Sequence, residues 1–276
     1  MEEGKGRVCV TGGTWFIGSW IIKRLLEDGY TVHTTVRPDP ELKEAEEVVT
    51  KRSTDGALGI LKACLNSKTV KRVVYTSSAS AVYWQEKEDD VMDESYWSDE
   101  NLLRDLKPFA WAYSISKTMA EKAVLEFGKK HGLDVVTLIP TFVLGPFVCP
   151  INSLAQYIPL SLSYLVCEKN PFCASRLHMV HVDDIARAHI FLLHHPNPKG
   201  RYNCSPFIAN VEEIAELLSA KYPNFQISVD EVKKFHDVKL PHLISKKLMD
   251  AGFEFKHSME EMFVDAIQCC KQKGYL

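Results

Sequence analysis

The sequence predicts an α/β fold, a Rossmann-like doubly wound parallel sheet with helices on both faces. Three observations predict it. Short β-branched or apolar runs alternate with amphipathic stretches as far as Gly145, and a glycine-rich turn separates the first run from the first helical stretch. With 46% hydrophobic content, the 276 residues can also bury a full core. Arg7 to Thr11 reads as a buried parallel strand. Phe16 to Asp28 reads as a helix, with Ile17, Trp20, Ile21 and Leu25 on one face and Gly29 as its stop. Thr31 to Val36 is β-branched and predicts the second strand. A helix is expected over Glu46 to Leu65, a strand over Val70 to Thr76, a helix over Ala110 to Lys130 and a buried strand over Leu133 to Pro140. Beyond Gly145-Pro146 the pattern becomes irregular until a short strand, His178 to Val182, leads into a helix from Asp183 to His194. Asn210 caps a helix over Val211 to Lys221, and Ser258-Met259-Glu260-Glu261 is a capping box opening the last one. The expected division is a nucleotide-binding domain over 1–145, with 178–194 returning to it. A small substrate lobe comprises 146–177 and 195–276.

The turn Thr11-Gly12-Gly13-Thr14-Trp15-Phe16-Ile17-Gly18 lies between a strand and a helix, the setting a dinucleotide fingerprint requires. Backbone N–H groups at a helix N-terminus favour pyrophosphate. Trp15 occupies the middle glycine position, where a missing side chain normally lets phosphate reach the backbone. The indole must swing out or fill that space, and weakened binding is expected. Arg37 ends the second strand, where a carboxylate would suit NAD; a guanidinium suits the 2′-phosphate of NADP(H), and Lys43 is placed to assist.

Tyr113 and Lys117 are four residues apart on an expected helix and share one face. An ammonium beside a phenol favours phenolate and brings proton exchange closer to neutral pH. The same spacing recurs at Tyr83 and Lys87, but inside a solvated charge run, so spacing alone does not choose between the pairs. The first is favoured because its helix follows the strand that brings Ser77 and Ser78 to the carboxyl edge of the sheet, where doubly wound folds bind ligands. A serine hydroxyl there can hold a substrate carbonyl. His181-Val182-Asp183-Asp184 is read as a helix start with a capping Asp, and no metal site is expected.

A net charge of −3 with scattered Lys and Arg gives no reason to expect nucleic acid. The eight cysteines show no C-x-x-C pair and sit in apolar runs such as Val8-Cys9-Val10, so reduced, buried thiols and a cytoplasmic setting are expected. No signal peptide and no apolar run near the roughly 20 residues of a membrane span are found.

Several segments resemble the extended short-chain dehydrogenase/reductases, and within them the dihydroflavonol reductase group. They are Val8-Cys9-Val10-Thr11-Gly12, Val73-Val74-Tyr75-Thr76-Ser77-Ser78-Ala79, Asp93-Glu94-Ser95 with Trp97-Ser98, Ile139-Pro140-Thr141 with Gly145-Pro146, His181-Val182-Asp183-Asp184 with Ala188-His189, and Gly200-Arg201-Tyr202-Asn203-Cys204-Ser205. The resemblance implies an NADPH-dependent reductase of a flavonoid or isoflavonoid, a small aromatic ketone, as a monomer or weak homodimer in a plant cytosol. Carried over by position, Tyr113 is the proton donor, Lys117 holds the nicotinamide ribose and tunes Tyr113, and Ser78 with Ser77 orients the carbonyl. Pro140 and Val143 line the nicotinamide, while Gly12, Gly13, Phe16, Ile17, Gly18 and Arg37 serve the rest of the cofactor, and Tyr83 touches substrate. Two rival readings share this fold: a catalytically silent relative acting as a binding or regulatory domain, and a sugar-nucleotide epimerase. The chain departs from the family at Trp15 and between Lys43 and Glu44. There a β-α-β pass of roughly 30 residues or more is absent, which predicts a hole in the sheet or a slipped neighbour.

Overall fold

The structure, a computed structural model, describes residues 5–36, 46–86, 91–108, 110–149, 176–223 and 241–276. Strand β1 (Arg7–Thr11) is followed by helix α1 (Phe16–Glu27) and strand β2 (Thr31–Thr35), which returns parallel to β1 in the register Arg7 with Thr31 through Thr11 with Thr35. Helix α2 (Glu46–Ser67) leads to β3 (Val73–Thr76). Helix α3 (Glu100–Leu106) precedes the long α4 (Trp111–His131), which ends at Gly132 in the left-handed conformation and feeds β5 (Val135–Pro140); β4 (Val91–Met92) is a short edge piece. A parallel sheet forms in the order β3, β5, β8 (Gly200–Cys204). A smaller sheet contains β6 (Phe142–Leu144), β7 (Arg176–His181) and β9 (Phe207–Asn210), with β7 antiparallel to β9. Helices α5 (Val182–His194), α6 (Val211–Lys221), α7 (Lys246–Asp250) and α8 (Met259–Gln272) complete the chain, and β10 (His242–Leu243) pairs with β4.

Strand periodicity sets the layers. In β5, Val136 and Leu138 pack with Ile185, Ala188 and Leu192 of α5, whereas Thr137 points the other way and donates to Glu121 of α4 at 2.6 Å. Helices therefore cover both faces of this sheet, as expected of parallel strands. Residues 200–204, expected in the lobe, instead form the last strand of the central sheet. The segment lacks an apolar run because two of its buried positions are Arg201, which donates to Glu121, and Asn203, whose Nδ2 donates to the Ile244 carbonyl.

A hole in the sheet or a slipped neighbour was expected between β1 and β3. Among the described residues β1 has a ladder only with β2, and β3 only with β5, so the two strands belong to separate sheets. Val8, Val10 and Val32 pack toward Trp20, Ile21, Leu25, Val182 and Ala186. On the opposite face Arg7, Cys9, Thr11, His33 and Thr35 are exposed. Neither Cys9 nor most of β1 is thus buried as expected, because among the described residues a helix packs on one face of this pair and not on the other. Helix α5 bridges the gap, packing on α1 and on both β3 and β5.

Candidate active site

Strand β3 ends at Thr76, and the next two residues leave the sheet in different directions. The Ser77 amide continues the ladder by donating to the Leu138 carbonyl (2.8 Å), while its hydroxyl is buried and donates to Glu121 Oε2 (2.6 Å). Ser78 turns into a short 3-10 helix over Ala79–Ala81, remains half-buried, and its Oγ accepts from the Ser80 amide at 3.3 Å. Of the two serines, Ser78 is therefore the one whose hydroxyl proton is left for an incoming carbonyl. Ser77 is committed to Glu121.

Helix α4 starts after Ala110 in a left-handed conformation (φ 55°) and lays Tyr113 and Lys117 along one face. Lys117 Nζ donates to the Thr76 carbonyl (3.3 Å) and lies 5.9 Å from the ring centres of both Tyr113 and Tyr75. Burial works against this ammonium, but the Tyr113 and Tyr75 phenols and the Glu121 carboxylate outweigh it and lift its pKa above the ordinary lysine value. Tyr113 is 46% exposed, so its phenol is not turned into the interior. Thr76 is held from its other side too: His189 Nδ1–H donates to the Ile185 carbonyl (2.8 Å), leaving Nε2 to accept from the Thr76 hydroxyl (2.8 Å). Tyr83, expected at the substrate, is half-buried beside Ala79, Val82 and Leu243, with its ring 5.7 Å from that of His178. Burial raises its phenol pKa.

Sequence reasoning missed Glu121 and Arg201. Glu121 is fully buried one turn beyond Lys117, and its oxygens accept from Ser77, Thr137 and, through Nε (3.0 Å) and Nη2 (3.2 Å), from Arg201. The spacing Tyr113, Lys117, Glu121 on one helix face was the available signal; the partner 80 positions away left none.

The nucleotide turn folds tightly. Gly12 takes a positive φ of 71°, a Cβ on Gly13 would lie 2.1 Å from Thr34 Oγ1, and one on Gly18 would lie 2.3 Å from the Gly12 carbonyl oxygen. Side chains at 13 and 18 are thus excluded by contact, as a close strand–turn–helix junction demands. Since the Ser19 amide makes the first bond of the helix, to the Trp15 carbonyl (2.8 Å), the amides of Phe16, Ile17 and Gly18 have no intrahelical acceptor and open at the carboxyl end of β1. Trp15 has swung outward. It is 45% exposed, with Cδ1 3.5 Å from where a Gly12 Cβ would stand, so the indole flanks the turn. Phe16, Ile17 and Val143 join one apolar cluster around Val10 and Val182, and Pro140 is buried at the end of β5. Arg37 and Lys43 lie outside the described residues. A dinucleotide fits this donor set: the cradle and the Tyr113–Lys117 face are present, with the exposed indole beside Gly12.

The helix start at Asp183 differs from expectation. The cap is His181, whose Nδ1 accepts from the Asp183 amide (3.0 Å). Asp183 Oδ1 accepts from Trp20 Nε1 (2.8 Å) and from Arg24, and Asp184 accepts from the Lys256 and His257 amides. Both carboxylates are structural ties. Burial pushes their pKa upward, but these hydrogen bonds prevail and hold both below the ordinary range.

Comparison with known proteins agrees with the geometry. Residues 39–205 match the NAD dependent epimerase/dehydratase family, a match that begins beyond the nucleotide turn. The chain is 54% identical to vestitone reductase of Medicago sativa, covering 100% of both chains. That alignment runs over 328 positions against the 276 residues here, leaving 52 positions without a residue from this chain. It is 37% identical to a bifunctional dihydroflavonol 4-reductase/flavanone 4-reductase of Malus domestica, covering 98% of this chain and 91% of that one. Its fold superposes on the crystal structure of the alfalfa vestitone reductase with a TM-score of 0.87, covering 99% of this chain and 100% of the other. The chain belongs to the NAD dependent epimerase/dehydratase family.

Proposed function

We propose that this chain is an NADPH-dependent reductase of a flavonoid or isoflavonoid ketone, with cofactor affinity lowered by Trp15 and by the missing β-α-β pass. The observation that carries the reading is the placement of Lys117: its ammonium sits on the carbonyl that ends the serine strand and 5.9 Å from the Tyr113 ring. The alignment with vestitone reductase and with a dihydroflavonol 4-reductase supports the substrate class.

Bound NADPH supplies the hydride. This chain's residues do the rest. The Ser78 hydroxyl donates to the substrate carbonyl oxygen and fixes its direction. As negative charge develops on that oxygen, the Tyr113 hydroxyl delivers its proton, and the Lys117 ammonium stabilises the phenolate that remains. Pro140, Val143, Phe16 and Ile17 supply an apolar wall that excludes water. The first-turn amides of α1 take the pyrophosphate.

Fluorescence titration with NADPH tests the reading, followed by reduction of a flavonoid ketone by wild type and Tyr113→Phe. Expected outcomes are saturable NADPH binding in both proteins and a loss of about 10²–10⁴ in turnover for the variant. A second reading, a silent relative acting as a binding domain, is favoured by the indole beside Gly12 and the open sheet. Absence of NADPH binding at millimolar concentration would end the enzyme reading for this chain.

A further inference from the structure

We propose that Glu121 is a positioning residue, paired with Arg201, which fixes the register of α4 against the central sheet and keeps a negative charge beneath Lys117. The geometry is that of a hub. One fully buried carboxylate on α4 gathers Ser77 from the end of β3, Thr137 from β5 and Arg201 from β8, so a single side chain ties the helix to all three strands. Arg201 is secured in turn: Nη1 donates to the Glu94 carbonyl (3.0 Å) and the Tyr96 carbonyl, and its guanidinium lies 3.6 Å from the Trp97 ring centre.

Stability alone is a weak reason for such a pair. Apolar residues of similar volume often serve a buried position as well or better. What they could not do is accept from Ser77, keeping that hydroxyl off the substrate face, or place a charge one turn below the ammonium. The groups facing Lys117 are Tyr113 and Glu121 on its own helix and Tyr75 with the Thr76 carbonyl on β3. His189 reaches Thr76 from α5, and Arg201 stands behind Glu121 on β8. Of these, Glu121 is the carboxylate. Its charge favours the ammonium, and its hydrogen bonds hold α4 where Lys117 meets Thr76.

The consequence for catalysis rests on the reductase reading, but the test does not require turnover. Protein carrying ¹⁵N-lysine is titrated by NMR, with the Lys117 signal assigned from Lys117→Arg, and thermal midpoints are recorded alongside. Glu121→Gln, which keeps the shape and one acceptor oxygen for either Ser77 or Thr137, is expected to lower the Lys117 titration midpoint. Arg201→Met leaves Glu121 uncompensated and is expected to move the midpoint upward. The double variant Glu121→Gln/Arg201→Met buries no net charge and covers the case in which a single variant fails to fold; its midpoint should lie below that of wild type. Thermal midpoints that fall while Lys117 stays unmoved, or single variants that shift it the same way, would reduce the pair to a structural tie. Wild type that binds no NADPH would overturn the reductase reading while leaving the Lys117 titration readable.

Discussion

At Trp15 the side chain stands where bulk is least welcome, and the structure shows what the chain does with it. The indole lies outward beside Gly12, makes no side-chain cap for α1, and leaves the turn intact. Glycine is tolerated at a helix N-cap at little cost, so Trp15→Gly should fold normally. It should tighten NADPH binding at least tenfold, about 1.4 kcal/mol, in a fluorescence titration; equal dissociation constants would clear the indole of blame. His189 gives a second prediction at this scale. Burial lowers its pKa from 6.5 to about 4, so the folded state keeps it neutral. Its contribution to stability is complete above pH 6.5 and is lost as pH falls toward 4, because only the unfolded chain takes up the proton in that window. The loss is on the order of 3 kcal/mol. Urea midpoints should decline across this range, and His189→Gln should flatten the decline. Arg201→Met should cost about 3–5 kcal/mol, since it strands the Glu121 carboxylate in the core; a change under 1 kcal/mol in chemical denaturation would show that the site relaxes or admits water.

Among the described elements, α5 joins α1 to the central sheet, and its attachment is polar as well as apolar. Asp183 receives Trp20 Nε1 and Arg24 from α1, while Val182 and Ala186 pack against Trp20, Ile21 and Leu25. Asp183→Asn should cost about 1.5–3 kcal/mol, the range for hydrogen bonds to a charged group, and α1 should loosen before the central sheet in hydrogen exchange. The depressed Asp183 pKa gives wild type the same weakness at low pH: this tie is complete above the ordinary aspartate pKa of 3.8 and fails as pH drops through the lower folded value. The elements also show what a sequence conveys. Helix α6 was legible to the residue, and α4 to within one, because capping residues and a left-handed glycine mark their ends. Strand β8 was illegible. Its buried positions hold Arg201 and Asn203, which read as surface until the Glu121 carboxylate is seen to accept from Arg201 and the Ile244 carbonyl from Asn203 Nδ2. The Tyr113–Lys117 face was read from a four-residue spacing together with its helix's place after the serine strand, and Ser78 came first through the resemblance, whereas the commitment of Ser77 rests on a carboxylate 44 positions downstream.

For the whole molecule, the governing fact is that β1 and β2 form one sheet and β3, β5 and β8 another. Half of the expected site lies on each: the nucleotide turn follows β1, and the Tyr113–Lys117–Ser78 set surrounds the end of β3. Inserting a β-α-β pass between Lys43 and Glu44, where the sequence reading expects one, should raise thermal stability and tighten NADPH binding together, as differential scanning fluorimetry with and without cofactor would reveal. If stability rose with no change in affinity, the open flank would be irrelevant to the cradle.

With α5 as a principal span between these two pieces among the described residues, the molecule resembles a bridge leaning on one girder. Load on that girder ought to be uneven: residues 7–35 can detach and reattach while the β3–β5–β8 piece stays intact. A nucleotide clasped by both pieces would then act as a second span, slowing that detachment and giving the cofactor a scaffolding role alongside its redox one.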